Sequence, residues 1–242
     1  MSLRILSYNI ERGGKGREEK IAEIIRSAQP DLVLLQEAYD AAVVMTLGKA
    51  CGMSTWASSP GQSVAFLSRT PVERHAWHRV WFARRAYLEV VLHGGQGRVF
   101  GVHLSAIHSN VTEQRRSLEM RSLLRGLEPY KDQFHVVTGD FNTLAPGEKL
   151  DINKLPPRLR AFAWITGGRI RWTTIQIMLN RGYVDAHRIL HGTDSGYTFP
   201  TWSPHIRLDY AFVPSAFAKR MKGCEVIRSV ASDHFPLLTT AE

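Results

Sequence analysis

Cysteine is scarce in this chain. Only Cys51 and Cys224 occur in 242 residues, and neither belongs to a CxxC or a Cys/His array. That argues against a disulfide framework and a cysteine-ligated zinc site, and leaves each thiol as a small buried apolar residue. No run of about 18 apolar residues is present, so no membrane-spanning helix is expected. Internal repeats, low-complexity tracts and linkers are missing, and the composition never shifts sharply. One domain over residues 1–242 is therefore expected. A secretory signal is not visible, because the first strand-like run starts almost at Met1. The expectation is a cytoplasmic protein, with a monomer favoured. Acidic residues are also in short supply. Asp and Glu number 22 against 31 Lys and Arg, a net charge of +9. That excess favours polyanionic partners, either nucleic acid or an anionic membrane surface.

Apolar periodicity supplies the organisation. Leu3–Tyr8 reads as a buried strand. Glu18–Ala28 places Ile21, Ile24 and Ile25 on one helical face, Pro30 ends that helix, and Leu32–Leu35 reads as a second strand. This is a βαβ-like opening. Further strands are expected at Ser63–Leu67, Leu88–Leu92, Val99–Leu104, Phe134–Thr138, Tyr183–Val184, Tyr197–Phe199, Leu208–Val213 and Leu237–Leu238. Helices are expected at Ala41–Cys51, Thr112–Leu127 and Ile175–Leu179. The Thr112–Leu127 helix carries Arg115, Arg116, Arg121 and Arg125 on its polar face. Residues 145–172 are the least regular.

Six polar signatures sit at the ends of apolar runs: Asn9 in ILSYNI, Glu37 in LVLLQE, His103 in VFGVHL, Asp140 and Asn142 in VVTGDFN, Asp209 in RLDYAFV, and Asp233–His234 in SDHFPLL. Carboxylates and imidazoles beside buried strands are usually paired, metal-bound or catalytic. Together they suit phosphate-ester hydrolysis. That reaction needs charge offset on phosphoryl oxygens, an oriented or deprotonated water, and a stabilised leaving oxygen. A Mg²⁺-type ion prefers hard oxygen ligands, and Glu37 is the best candidate; a helix-start carboxylate is the other reading of Glu37. Asp140 and Asn142, two apart, would share one side of an extended segment and face one phosphate, although GDFN also reads as a simple turn. His234 suits contact with a phosphoryl oxygen or water, with Asp209 available to orient it.

The ordered set SYNIERG, LLQE, GVHL, GDFN, RLDY and SDHFP resembles the endonuclease/exonuclease/phosphatase superfamily, from Asn9 to His234. The resemblance implies a four-layer α/β (α+β) sandwich, with two central, mostly antiparallel sheets flanked by helices. It implies a Mg²⁺ or Mn²⁺ site held or flanked by Asn9 and Glu37 and completed by Asp233. It implies that Asp140 positions or activates the attacking water, and that Asn142 and His103 contact the phosphate. His234 would be general base or transition-state stabiliser, oriented by Asp209. GVHL resembles the His-Leu motif of the sphingomyelinase-like and tyrosyl-DNA phosphodiesterase-like branches, which argues against an ordinary abasic-site endonuclease.

Nucleic acid is the favoured substrate. Its support is the charge together with arginine-rich aromatic segments: Trp77, Trp81, Phe82, Arg84 and Arg85, then Arg158, Arg160, Trp164, Arg169, Arg171 and Trp172. Arg115, Arg116, Trp164 and Arg169 are the candidate substrate contacts. The same segments allow a phospholipid phosphodiesterase, with Phe162, Trp164 and Ile165 inserting into an anionic bilayer. A non-catalytic nucleic-acid or phosphate-binding module is the third reading, and the intact polar set argues against it.

Overall fold

In the computed structural model, the described residues are 2–79, 86–95, 97–106, 109–148, 151, 160 and 172–242. Two six-stranded sheets lie face to face. The first runs β11–β12–β1–β2–β4–β3, from β1 Leu3–Asn9, β2 Leu32–Gln36, β3 Thr55–Ala57, β4 Val64–Ser68, β11 Met221–Val226 and β12 Leu237–Ala241. The second runs β5–β6–β7–β8–β10–β9, from β5 Val72–Arg79, β6 Ala86–Leu92, β7 Gly97–His103, β8 His135–Asp140, β9 Tyr183–Asp185 and β10 Asp209–Pro214. Helices α1 Glu18–Ala28 and α2 Ala41–Ala50 pack on the first sheet, α3 Asn110–Leu127 and α4 Thr174–Asn180 on the second. A short α5, Ala186–His191, packs against β10 and β11.

Side-chain alternation along the strands builds these layers. In β1, Leu3 and Ile5 enter the core between the sheets, while Leu6 and Tyr8 face α1 and α2. Leu32 and Leu34 of β2 join the first set, and Val33 and Leu35 the second. A strand covered on both faces is apolar throughout, which is why LVLLQ shows no alternation of polarity. On the far side, Phe100, Val102, Val137 and Phe212 pack against Met120, Leu123, Leu124 and Leu127 of α3. This is the α/β sandwich that the resemblance implied.

Among the described residues, only β1–β2 and β7–β8 pair in parallel, each pair joined through a helix, α1 or α3. Parallel pairing brings two strand carboxyl ends side by side: Asn9 beside Gln36, and His103 beside Asp140. Antiparallel β10 places Asp209 opposite Asp140. Gly139 is required for this closure. Its φ is +151°, and a Cβ there would lie 2.0 Å from the Val102 carbonyl oxygen.

Some expectations change. Tyr197–Phe199 is no strand; an isolated bridge joins Phe199 to Ile206. β3, β5, β11 and α5 were not anticipated. β5 is an edge strand with the polar sequence VERHAWHR, and β11 carries a glycine and a register shift. Neither offers the apolar run that marks a buried strand. Trp77, expected as a base-stacking residue, packs against the inter-sheet core and donates its indole N–H to the Val64 carbonyl at 2.9 Å. Trp172 likewise packs on Leu144, Ile206 and Leu208. Both cysteines are free and buried, as expected.

Candidate active site

The signatures meet at one edge of the sandwich, where β1, β2, β7 and β8 end and β10 begins. Asp140 lies at the centre. Its Oδ1 accepts the Asn142 backbone N–H at 2.8 Å. Its Oδ2 accepts the side-chain amides of Asn9 at 3.0 Å and Asn142 at 2.9 Å. His103 Nε2 is 3.7 Å and His234 Nε2 is 3.9 Å from the same oxygen. Residues 131 positions apart thus share one carboxylate, and Asn9 bridges the two sheets.

Asn142 approaches Asp140 by a different route from the one expected. It is not extended; its φ is +52°. Asparagine tolerates this left-handed geometry, and the chain folds back as an Asx turn. The Asn142 amide also donates to the Leu104 carbonyl at 3.2 Å, tying the GDFN turn to the segment after His103.

His234 is fixed from behind. Its Nδ1 is 2.8 Å from Asp209 Oδ2, and both residues are buried. Ser232 donates to the Asn9 carbonyl at 2.7 Å, which docks the SDH loop on β1. Burial pushes the Asp140 carboxyl pKa up, against the pull of His234. Burial opposes charge on the imidazole, but Asp209 and Asp140 outweigh it and raise the His234 pKa. Both shifts favour the protonated forms of His234 and Asp140.

Glu37 lies just beyond β2 with φ +57°, and its Oε2 accepts the Arg12 backbone N–H at 2.6 Å. It is not the helix cap; Asp40 caps α2 through Ala42 N–H at 2.9 Å. Asp233 is half-buried, and its pKa is raised by burial and then by the charges of Glu11 and Glu37. Glu11, on the loop after β1, and Glu37, after β2, are thus near enough for their charges to act on Asp233, before β12. Glu11 was overlooked in the sequence. The signal was there, two residues beyond Asn9, whose Oδ1 accepts the Glu11 N–H at 3.0 Å.

Hard oxygen donors of this kind suit Mg²⁺ or Mn²⁺. Among the described residues, Asp140, Asp209 and His234 also offer three ligand atoms within 4.8 Å of one another. That set differs from the Asn9, Glu37 and Asp233 expected to bind metal. The Asp209–His234 hydrogen bond joins two members of that set, an arrangement that suits a dyad. Glu11, Glu37 and Asp233 are carboxylates of the kind a divalent cation takes.

The candidate substrate contacts divide. Arg115 is exposed, 3.3 Å from Glu119. Arg116 is a correction: it is 0% exposed. It donates to Glu113 at 3.0 Å and to the Ser105 carbonyl at 2.8 Å. Glu113 in turn accepts from Thr143 and from the Thr173 and Thr174 N–H groups, each at 2.8 Å. A buried guanidinium must be paired, and here the pair locks the loops after His103 and Asn142 to α3. Trp164 and Arg169 lie outside the described residues, as do Trp81, Phe82, Arg84, Arg85, Arg158, Phe162, Ile165 and Arg171. No helix among the described residues is long and apolar enough to cross a membrane.

A carboxylate and a carboxylate-oriented histidine, converging beside hard oxygen donors at the open edge of such a sandwich, define a metal-dependent phosphoesterase. Residues 6–234 match the Endonuclease/Exonuclease/phosphatase family, and the chain belongs to it. Its fold is similar to that of an AP endonuclease from Archaeoglobus fulgidus (TM-score 0.76, 18% identity, 99% of each chain covered). It is similar to D. rerio TDP2 complexed with a single-strand DNA product (TM-score 0.70, 18% identity, 100% of this chain and 99% of the other). It is also similar to the 3′ phosphatase NExo from Neisseria bound to a product DNA hairpin (TM-score 0.71, 18% identity, 99% of each chain). Sequence comparison with curated proteins yields no match. These likenesses span several kinds of enzyme and do not single out a branch of the family.

Proposed function

We propose that the chain is a single catalytic domain that hydrolyses phosphodiester bonds in nucleic acid with Mg²⁺ or Mn²⁺. The observation that carries this reading is the convergence of Asn9, His103, Asn142 and His234 on one oxygen of Asp140. A divalent ion held on the Glu37, Asp233 and Asn9 side, with Glu11 alongside, would offset charge on the phosphoryl and leaving oxygens. Asp140, with its raised pKa, orients the attacking water and takes its proton. His234, held by Asp209 and with its pKa raised, donates to a phosphoryl oxygen as charge accumulates. Of the two roles implied for His234, we take the stabiliser, in keeping with the direction of that shift. Asn142 and His103 complete the donor set around the phosphate. Water oxygen bonds to phosphorus as the P–O ester bond opposite breaks.

Nucleic acid is favoured by the net charge of +9 and by the exposed Arg115. The printed descriptions of the TDP2 and NExo structures name DNA products, which supports the same substrate class. The His103–Leu104 segment supports the His-Leu branch. A test is a panel of single- and double-stranded DNA, RNA, sphingomyelin, inositol phosphates and an aryl phosphodiester, each with Mg²⁺ or Mn²⁺. We expect nucleic-acid cleavage abolished by chelator and by Asp140→Asn, and an affinity that falls steeply with salt. Turnover confined to sphingomyelin would refute the proposal in favour of a lipid phosphodiesterase.

A further inference from the structure

We propose that Trp202 is a stacking platform for an unpaired nucleobase beside the reacting phosphate, an inference that rests on the nuclease reading above. The other described tryptophans, Trp56, Trp77 and Trp172, pack against hydrophobic cores. Trp202 is 74% exposed. An indole left in water forgoes a large burial gain, and an exposed one at a site edge marks a contact surface.

Trp202 is exposed but held. Ser203 N–H donates to the Pro200 carbonyl at 3.1 Å, and His205 N–H to the Phe199 carbonyl at 3.2 Å. Thr201 donates its N–H to the Asp233 carbonyl at 3.0 Å and its hydroxyl to the Ser232 carbonyl at 2.9 Å. The loop that presents the indole is thus fastened to the loop that presents Asp233 and His234.

The rings form a short series. The Phe199 ring lies 4.8 Å from the His234 ring, and Trp202 meets Phe199 in an edge contact at 6.3 Å. Those two separations keep the indole within about 11 Å of the imidazole. A base one or two nucleotides from the scissile phosphate falls in that range. An aromatic face stacks on any base without reading its edge, but only on a base released from a duplex. The platform therefore selects single-stranded or frayed nucleic acid without selecting sequence.

The experiment is steady-state kinetics of the full chain with Mn²⁺. Three substrates are compared: a single-stranded oligodeoxynucleotide, the blunt duplex of the same sequence, and bis(4-nitrophenyl) phosphate. Wild type, Trp202→Phe and Trp202→Ala are assayed, alongside sedimentation with phosphatidylserine vesicles. Trp202→Ala is expected to raise KM for the single strand about 10-fold, the loss of roughly one stacked base. Its kcat stays within about 2-fold, Trp202→Phe restores most of the loss, and the aryl diester is unaffected. An unchanged single-strand KM, or an equal rise for the aryl diester, overturns the platform while the nuclease reading stands. Vesicle binding lost in Trp202→Ala with unchanged oligonucleotide kinetics overturns it in favour of a lipid contact. If wild type cleaves the aryl diester but neither oligonucleotide, the nuclease reading falls and the platform with it.

Discussion

At the scale of single residues, the site depends on Asp140 being surrounded by nitrogen donors while buried. Under the proposed mechanism that carboxylate handles the proton of a water, and His234 answers charge on phosphorus. Replacing His234 with Ala should lower kcat by about 10²–10⁴-fold, the usual span for a positioned acid–base group. Circular dichroism should stay that of wild type, because the side chain ends at the site. Asp209→Asn should reproduce much of that loss, since the imidazole loses the anion that orients it and keeps it charged. Near-wild-type turnover in Asp209→Asn would remove the dyad. Glu37 makes a separable prediction. Glu37→Gln should raise the Mn²⁺ concentration giving half-maximal activity about 10-fold or more, with much of kcat recovered at saturation. An unchanged titration, by activity and by direct calorimetry, would strike Glu37 from the ligand set.

At the scale of elements, two parallel crossovers do most of the positioning. Each ends its strands beside a partner pointing the same way, and a turn of unusual backbone geometry follows. Gly139 is a point of close backbone approach between β7 and β8. Ala in its place combines a strained φ with a Cβ 2.0 Å from the Val102 carbonyl oxygen. Backbone cannot yield there without separating β7 from β8. Gly139→Ala should therefore cost about 3 kcal/mol or more, a fall of roughly 6–12 °C in Tm. Thermal melts check this, and a change under about 2 °C would mean the strands adjust freely. The Arg116–Glu113 pair acts on the same elements from outside. It fastens the start of α3 to the two loops that leave His103 and Asn142, a structural task in place of the substrate contact expected of Arg116.

At the scale of the whole molecule, the second sheet meets the C-terminal strands through a buried polar cluster. His187 is 5% exposed there, near Arg207 and Asp185. Burial and the Arg207 charge push its pKa from 6.5 down to about 4. The unfolded chain therefore binds a proton that the folded chain refuses between those values. The associated stability is full above pH 6.5 and is lost as pH falls toward 4. At about 1.4 kcal/mol per pKa unit its ceiling is about 3 kcal/mol, and solvent screening reduces it below that. His187→Gln should flatten the fall in denaturant-unfolding stability between pH 7 and pH 4.5. A pH slope equal to that of wild type would show that other groups set the acid limit.

The identity of the polar groups and their place at strand ends were legible from the sequence, because an apolar run closed by Asn, Glu, His or Asp is a local pattern. The four-layer fold was legible through the ordered motifs, and the opening βαβ unit through its periodicity. Three things were not local. Arg116 reads as a surface cation until α3 is laid on the second sheet and Glu113 meets it. Trp77 and Trp172 read as stacking residues until the assembled chain packs them against apolar neighbours, while Trp202 carries no pattern that marks it as the exposed one. Asn142 reaches Asp140 by a left-handed turn, where alternation along a strand had suggested a shared face. Sequence determined which groups were available and roughly which strands would bear them. Only tertiary packing decided which charges are desolvated, which rings face water, and which oxygen the scattered donors share, because burial and distance belong to the assembled sheets.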